Sequence, residues 1–288
     1  MFSSDLGNGG VIISEDLNKE QGVVAGPEIS VVIPAYNAEH TILRALRSVL
    51  AQTLQPLEVI VIDDGSTDGT VSLVKRFCGG LKPGFLKLTE LGSNCGVYHA
   101  RNVGWNMASG QFLAFLDSDD SWHPRKLEIQ ANYMENHDEF ALTAHRCVRL
   151  SEDDAPSIIP QHWNVTPIAG WQLMIFSSSV WTPSFMLRRE IPYRFDASKR
   201  YCGDRLLLLQ MVLDGYKVAR FELPLAYMYK APYGEMGLSS HLWESEKSEL
   251  DNFRRLREMG FLNRGQEIAL KGWSFLKYMR RVWVSRRR

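Results

Sequence analysis

The sequence predicts an α/β fold in which a Rossmann-like, mostly parallel sheet is flanked by helices and followed by a C-terminal helical extension. Apolar runs at residues 29–33, 57–62 and 111–116 are nearly continuous rather than alternating, which is typical of strands buried on both faces of a parallel sheet. Segments with helical spacing lie between these runs, and this alternation favours right-handed βαβ units.

The first half of the chain gives the clearest element signals. The run at 29–33 precedes a helix whose apolar residues recur at helical spacing as far as position 50. The run at 57–62 precedes a helix over 67–77, for which a serine or threonine is available as the cap. A weaker strand at 85–88 precedes a helix over 97–108. The third strong strand, 111–116, follows.

The second half is patterned more loosely. Pro124 suits the first turn of a helix that reaches position 136, and a strand is expected over 140–150. Prolines then mark a linker-like stretch around 156–167, with short elements near 171–176 and 180–188. Residues 204–214 have helical spacing and end at Gly215, before a strand over 217–229.

Composition excludes several classes of protein. The 288 residues are 45% hydrophobic and 23% charged, with 33 basic and 33 acidic side chains. This is an ordinary globular composition, and the absence of a basic excess argues against nucleic acid as a partner. The four cysteines show no CxxC spacing, so neither a disulfide framework nor a zinc site is expected, and a cytoplasmic location is predicted.

The strongest chemical signal is the sequence Asp117-Ser118-Asp119, directly after a predicted buried strand. Residues two apart in an extended chain point to the same side, so both carboxylates can face one site. Oxygen ligands favour a hard divalent ion such as Mg²⁺ or Mn²⁺. The alternative for these residues is a solvated turn that caps the next helix.

Four motifs occur in order: ISVVIPAYN at 29–37, VIVIDDGSTDGT at 59–70, NCGVYHARNVGWNMASGQFLAFLDSDDSWHP at 94–124 and YCGD at 201–204. In order and spacing they resemble the family-2 inverting glycosyltransferases of the GT-A fold, closely over 29–136 and more loosely to about 240. The resemblance implies a nucleotide-diphosphate sugar donor, Mn²⁺ or Mg²⁺, and one catalytic carboxylate. It also implies a glycan or lipid-linked acceptor in polysaccharide, lipopolysaccharide or other glycoconjugate synthesis.

By this resemblance, the nucleotide base lies against the backbone of Pro34 and Ala35 and the ring of Tyr36, and Asp64 accepts an N–H of the base. Taken alone, Tyr36 is equally well explained as a core or rim tyrosine. An ionised carboxylate only accepts hydrogen bonds, which suits the N3–H of uracil or thymine and the N1–H of guanine but not N3 of cytosine. UDP or dTDP sugars are therefore favoured, GDP sugars come next, and CMP sugars are excluded.

The resemblance also assigns the reacting centre. Asp117 resembles the sugar or ribose contact, Asp119 the metal ligand, and Asp204 the general base. Taken alone, Asp204 is also explained as a helix N-cap.

Three positions depart from the family pattern. Tyr98 and His99 stand where many members have a small residue, and Gly203 replaces the glutamate that commonly precedes the base. His99 and Arg101 are alternatives for contacting the diphosphate, although a packed or surface role is favoured for both.

Rival functions lack their motifs. A dehydrogenase needs GxGxxG after the first strand, and neither that motif nor a P-loop occurs. A sugar nucleotidyltransferase should carry a glycine-rich basic loop where this chain has PAYN at 34–37. An inactive sugar-nucleotide binding module should have lost Asp119 or Asp204, and both are present.

These considerations divide the chain into a mobile acidic leader at 1–28, a transferase domain at 29–240 and a helical, basic extension at 241–288. The domain itself comprises a nucleotide-sugar half, 29–136, and an acceptor half, 137–240. Residues 271–288 contain seven cations and no acid, interleaved with aromatic residues. This amphipathic pattern predicts peripheral contact with an anionic membrane on its cytoplasmic face, the alternative being that the aromatic residues pack in the core.

Overall fold

A computed structural model describes residues 11–14, 26–151, 158–160, 162–175, 180–229 and 241–285. Its strands and helices follow in this order: β1 Val11–Ser14, β2 Ile29–Ala35, α1 Ile42–Leu50, β3 Glu58–Asp63, α2 Thr70–Cys78, β4 Leu86–Glu90, α3 Val97–Met107, β5 Phe112–Phe115, β6 Ser121–Trp122, α4 Lys126–Asn136, β7 Phe140–Arg149, β8 His162–Pro167, α5 Gly170–Ile175, β9 Met186–Arg188, α6 Gly203–Leu213, β10 Lys217–Met228, α7 Leu242–Glu258 and α8 Arg264–Ser285. A 3₁₀ turn, Thr182–Ser184, precedes β9.

The described strands form one sheet in the order β1-β8-β10-β7-β9-β5-β2-β3-β4, with β6 paired to β10. Strand β2 is parallel to β3 and β5, and β3 is parallel to β4, as the predicted βαβ units require. The predicted fold class is confirmed. The second half of the sheet is mixed, because β9 runs antiparallel between β5 and β7 and β8 runs antiparallel to β10.

The central strands are buried on both faces, which explains their continuous apolar sequences. Every residue of β2 and β3 is buried. Val32 packs on one face in a cluster with Trp105 of α3 and the leucines of α6, whereas Val31 packs on the other with Leu46 of α1. The helices of the βαβ units therefore cover both faces of the sheet.

Helix α3 lies unusually close to the sheet because it carries a glycine at the contact. A Cβ on Gly104 would lie 2.4 Å from Cγ1 of Val32, nearer than side chains approach. The close packing fixes α3 against β2 and β3 and directs its first turn to the edge where these parallel strands end.

At the opposite edge of the sheet, where the parallel strands begin, a buried carboxylate holds neighbouring segments together through hydrogen bonds. Glu58 at the start of β3 is 2% exposed and accepts hydrogen bonds from Oγ of Ser30, at 2.7 Å, and from the backbone and hydroxyl of Ser109. Lys87 of β4 binds its other oxygen. Burial alone would raise the pKa of Glu58, but these hydrogen bonds hold it at about 2.

One expectation for the less regular segments needs correction. The proline-marked stretch around 156–167 is predicted to be a linker, yet β8 occupies its end and pairs with both β10 and β1. Strand β1 lies inside the predicted leader and pairs with β8, and the mobility of the leader stays a prediction. Apart from 11–14 and 26–28, the leader lies outside the described residues.

The C-terminal extension is helical, as predicted. Helix α7 contributes Phe253 and Leu256, both fully buried, to the same core as α3 and α6, so it packs as part of the domain. The domain boundary at 240 stays a prediction. Across the described ranges, we find no helix with both the length and the apolar character needed to cross a bilayer.

Helix α8 has a buried side and an exposed apolar side. Three of its cations are bound within the protein: Lys271 to Glu267, Lys277 to the carbonyl of Ile175, and Arg281 to Glu246. The exposed side carries large apolar residues, namely Ile268, Trp273, Phe275, Leu276, Met279 and Trp283, each 44–64% exposed. The terminal arginines, 286–288, lie outside the described residues.

Candidate active site

The predicted site residues lie at the edge of the sheet where the parallel strands β2, β3 and β5 end, the usual ligand-binding edge of such sheets. Pro34 and Ala35 are the last residues of β2 and are buried. The ring of Tyr36, the next residue, is 50% exposed at this edge, so Tyr36 is not a core tyrosine. Its assignment to the base pocket stays a prediction.

Asp64 holds the loop that leads into α3. It follows β3, is 3% exposed, and its two carboxylate oxygens accept the backbone N–H groups of Cys95, at 2.7 Å, and Gly96, at 2.9 Å. Gly65 has φ 77°, and a Cβ there would lie 2.6 Å from the carbonyl carbon of Ser93. A nucleobase N–H would have to use a remaining lone pair of Asp64, whose predicted role is untested.

Arg101 of α3 is buried and forms an ion pair with the partly exposed Asp117. Its side chain is almost fully buried, and Nη2 lies 2.5 Å from Oδ1 of Asp117. Burial, with smaller contributions from Asp119 and Asp204, raises the pKa of Asp117, although Arg101 opposes the shift. Arg101 therefore has the packed role favoured by the sequence, and it supplies positive charge among the clustered aspartates.

Asp119 lies beside an open cavity of about 250 Å³ lined also by His40, Arg44 and Tyr229. Arg44 donates a 2.7 Å hydrogen bond to the backbone carbonyl of Asp119 and stacks on the ring of Tyr229, 3.7 Å from its centroid. Helix α4 has no side-chain cap, so the alternative in which the aspartates cap that helix is not what the structure shows.

The side chains around Asp119 fit a divalent ion that is held mainly by substrate. Within the described ranges, no group of three or more His, Cys, Asp or Glu side chains is arranged to hold a metal ion. Mg²⁺ and similar ions, however, bind through one or two carboxylates plus water and phosphate oxygens. The carboxylate of Asp119 adjoins both the cavity and the like charge of Asp117, which a cation would offset.

Asp204 lies in the first turn of α6 and is held by three donors. Oδ1 accepts the N–H of Arg205 at 2.9 Å and faces the hydroxyl of Tyr98 at 3.3 Å, while Oδ2 faces the hydroxyl of Thr182 at 3.3 Å. It is not the N-cap, because Cys202 holds that place with φ 53°. Both hydroxyl contacts are long, so they orient the carboxylate without binding it tightly.

The three aspartates share one electrostatic environment although 85 and more positions separate Asp204 from the others. The charges of Asp117 and Asp204 both raise the pKa of Arg101, and the charges of Asp119 and Asp204 both raise the pKa of Asp117. A site of this kind can bind a cation beside a phosphate leaving group and can accept a proton from a hydroxyl.

Sequence reasoning missed several residues of the site. Tyr98 was noticed only for its bulk, yet its hydroxyl reaches Asp204. Thr182 and Arg44 gave no signal, because each is placed by a contact between segments far apart in the sequence: 22 positions separate Thr182 from Asp204, and 75 separate Arg44 from Asp119.

Comparison with known proteins identifies both a family and individual relatives of this chain. The profile of the family described as "Glycosyl transferase family 2" matches residues 30–195. The UDP-Glc:alpha-D-GlcNAc-diphosphoundecaprenol beta-1,3-glucosyltransferase WfgD of Escherichia coli is 43% identical over 106 residues, which are 37% of this chain and 40% of that enzyme. The match thus spans less than half of this curated relative.

Solved structures share the fold over more of the chain. S. aureus TarS 1-349 in complex with UDP-GlcNAc superposes with a TM-score of 0.65 at 22% identity, covering 85% of this chain and 70% of TarS 1-349. Mannosyltransferase PcManGT from Pyrobaculum calidifontis, in complex with GDP-Man and Mn²⁺, gives a TM-score of 0.60 at 19% identity, covering 81% of this chain and 65% of its own. At such identities the likeness establishes the GT-A fold alone.

Proposed function

Because the chain belongs to glycosyl transferase family 2, we propose that it is a glycosyltransferase that moves a hexose from a nucleotide-diphosphate sugar to an acceptor hydroxyl, with inversion at the anomeric carbon. UDP or dTDP sugars are the preferred donors, and the product belongs to cell-surface polysaccharide or lipopolysaccharide assembly. The observation that supports this most strongly is that Asp117, which pairs with Arg101, lies close enough to Asp119 and Asp204 for both charges to raise its pKa.

The proposed chemistry needs one base. Asp204 takes the proton of the acceptor hydroxyl as its oxygen bonds to the anomeric carbon, and the bond from that carbon to the nucleoside diphosphate breaks on the opposite side. Direct displacement inverts the centre and requires no second catalytic carboxylate. The three donors around Asp204 aim its carboxylate before the acceptor arrives.

The proposed metal ligand is Asp119. A bound Mn²⁺ or Mg²⁺ would offset charge on the departing diphosphate. The cavity beside Asp119 and the like charge of Asp117 support a cation here, and PcManGT, a protein of the same fold, has been crystallised with Mn²⁺. We assign the contact with the sugar or ribose to Asp117, and its ion pair with Arg101, which would hold its carboxylate in place, supports that role.

Donor and acceptor classes follow from the same edge and from the relatives. The buried carboxylate of Asp64, between Ala35 and the loop before α3, suits a base that offers an N–H. The E. coli relative is named for UDP-Glc and for an acceptor linked to diphosphoundecaprenol, and TarS was solved with UDP-GlcNAc. These names support a UDP-sugar and a lipid-linked saccharide for this chain.

A lipid-linked acceptor would be reached from a membrane surface, and we propose that the exposed apolar side of α8 contacts that surface. Large apolar side chains on one side of a helix, with tryptophans among them, are typical of segments that lie in the interface between lipid and water. Leu276 is 63% exposed and Met279 52% exposed on this side. Because Lys271, Lys277 and Arg281 are bound internally, apolar contact contributes more than the sequence pattern alone indicated.

The decisive experiment is a donor screen with the full chain. Purified protein is incubated with UDP-, dTDP-, GDP- and CMP-sugars, with Mn²⁺ or Mg²⁺ and with a lipid-linked or soluble glycan acceptor. Release of the free nucleotide (UDP, dTDP or GDP from the diphosphate sugars, CMP from the CMP-sugar) and the anomeric configuration of the product are measured. Retention at the anomeric carbon would contradict the mechanism.

The same screen separates the rival functions. A nucleotidyltransferase would consume a nucleoside triphosphate and release pyrophosphate, which is measured in parallel with a sugar phosphate as second substrate. An inactive binding module would bind a nucleotide sugar by calorimetry and release no product with any acceptor.

A further inference from the structure

Tyr98 lies in the first turn of α3 and is buried against the start of α6. The residue is 5% exposed and stacks on Phe195 at 5.7 Å between ring centroids. Its hydroxyl accepts the backbone N–H of Gly203 at 2.9 Å and lies 3.3 Å from Oδ1 of Asp204. The phenol therefore joins the first turn of α6 to the helix that carries Arg101.

Gly203 is required there for space. A Cβ at this position would lie 2.7–2.9 Å from three carbons of the Tyr98 ring, closer than Cβ atoms approach other atoms. No left-handed backbone explains this glycine, unlike Gly65 and Gly96, whose φ angles are 77° and 93°. The ring of Tyr98 thus fills the volume into which a side chain at 203 would extend.

The direction of the hydrogen bonds follows from the groups involved. The N–H of Gly203 can only donate, so the phenol oxygen accepts it, and an ionised Asp204 can only accept, so the phenol proton points to Asp204. Burial, reinforced by the charge of Asp204, raises the pKa of Tyr98 well above its ordinary value, so the phenol keeps this proton. Tyr98 is therefore a fixed donor to one oxygen of Asp204, and Thr182 faces the other.

We propose that Tyr98 is a positioning residue for Asp204: in the volume that Gly203 leaves open, its hydroxyl aims the carboxylate at the acceptor. This inference rests on the proposed role of Asp204 as the base. The other titratable or charged groups around Asp204 are Arg101 of α3, Asp117 after β5, Cys202 before α6, and Arg205 in α6, which is paired with Glu249 of α7.

Tyr98→Phe keeps the ring and removes the donor. The turnover number should fall about three- to tenfold, the range expected for losing one modest hydrogen bond, while donor affinity stays unchanged. Because the ionised carboxylate loses a donor, the acid limb of the pH–rate profile should move to higher pH by roughly 0.5–1 unit. Substituting 3-fluorotyrosine at position 98, a stronger donor of nearly the same shape, should move that limb to lower pH.

Tyr193→Phe is the matched control. Tyr193 donates its hydroxyl to Asp214 at the other end of α6, so this variant loses a similar phenol–carboxylate bond on the same helix. It should leave turnover and the pH profile as in the wild type. Tyr98→Phe will also lose some stability, since the Gly203 N–H loses its partner, and only the pH profile and turnover separate positioning from folding.

The steric half is tested by a double-mutant cycle. In the wild-type background, Gly203→Ala should lower the unfolding midpoint strongly, because the added Cβ collides with the Tyr98 ring. In the Tyr98→Ala background the ring is absent, so the same substitution should lower the midpoint by much less. Equal costs in both backgrounds would overturn the packing argument.

The positioning role of Tyr98 is tested by comparing the Tyr98 variants with Asp204→Asn. If Asp204→Asn abolishes transfer while Tyr98→Phe and 3-fluorotyrosine leave turnover and pH profile unchanged, the role of Tyr98 is overturned and the proposed function stands. If Asp204→Asn transfers sugar normally, the assignment of Asp204 as the base and the role of Tyr98 are both overturned, while sugar transfer itself stands.

Discussion

Asp204→Asn removes a charge and leaves the local contacts in place, which makes it the sharpest test of the base. The amide oxygen can accept the N–H of Arg205 and the hydroxyl of Tyr98 as Oδ1 does now. The amide nitrogen can donate to the hydroxyl of Thr182, whose proton is free to turn away. No buried group loses its partner, so the variant should fold.

The expected magnitudes differ widely between stability and catalysis. Losing a negative charge in the first turn of α6 costs about 0.3–1 kcal/mol through the helix dipole. For a chain of this size, that lowers the melting temperature by about 1–4 °C. Losing a general base should reduce transfer by about 10²- to 10⁴-fold, equivalent to about 3–5 kcal/mol of activation free energy.

Three measurements on one preparation decide the matter: donor affinity by calorimetry, melting temperature, and release of nucleoside diphosphate in the presence of acceptor. Asp214→Asn, a change of the same kind at the far end of α6 beside Tyr193, is the control and should transfer normally. Transfer by Asp204→Asn within about threefold of the wild type would refute the reasoning, since no loss of base is that small.

The other predictions concern the metal, the donor, acid stability and the membrane. Asp119→Asn should weaken metal-dependent UDP binding and lower transfer at least about tenfold, because a ligand charge is lost; calorimetry with and without Mn²⁺ checks this, and an unchanged metal dependence would make the DxD a turn. UDP should bind more tightly than CDP or CMP in the same calorimeter, and the reverse order would remove Asp64 from the base pocket. Glu58→Gln should destabilise by roughly 1–3 kcal/mol at neutral pH. Because a lowered carboxyl pKa adds stability above the unfolded value, 4.5, and loses it toward the folded value, about 2, the urea midpoints of wild type and Glu58→Gln should converge as the pH falls, and a constant gap would contradict this. The double variant Leu276→Ser, Met279→Ser should sediment with anionic vesicles several-fold less than the wild type. Leu57→Ser, which changes an exposed leucine outside α8, is the control and should sediment like the wild type. Equal sedimentation of all three proteins would contradict the membrane proposal.

The parallel half of the sheet was predictable because its signals are local. Residues 29–33 and 58–62 lie within the buried strands β2 and β3, and their nearly unbroken apolar sequences follow from burial on both faces. Strand β8 was missed because its sequence, HWNVTP, has polar and proline residues and mostly exposed positions. Only its pairing with β10 and β1, a non-local contact, makes it a strand.

In the candidate site, too, the residues with a local sequence signal were predictable and those placed by non-local contacts were not. Asp117 and Asp119 were identifiable because a short spacing after a strong strand carries the chemistry. The partners that orient these groups were not: Arg101 pairs with Asp117 across 16 positions, and Tyr98 reaches Asp204 across 106. Such contacts depend on how α3 and α6 pack, which no local pattern encodes.

The contact between Tyr98 and Gly203 also constrains how this chain can evolve. With tyrosine at 98, any side chain at 203 collides with the ring, whereas with glycine at 203 a small residue at 98 leaves only a cavity. A lineage can therefore acquire the tyrosine only after it has lost the side chain at 203. Afterwards a carboxylate cannot return to 203 by a single substitution, because its Cβ would collide with the Tyr98 ring. Descendants that keep the tyrosine therefore keep the glycine as well.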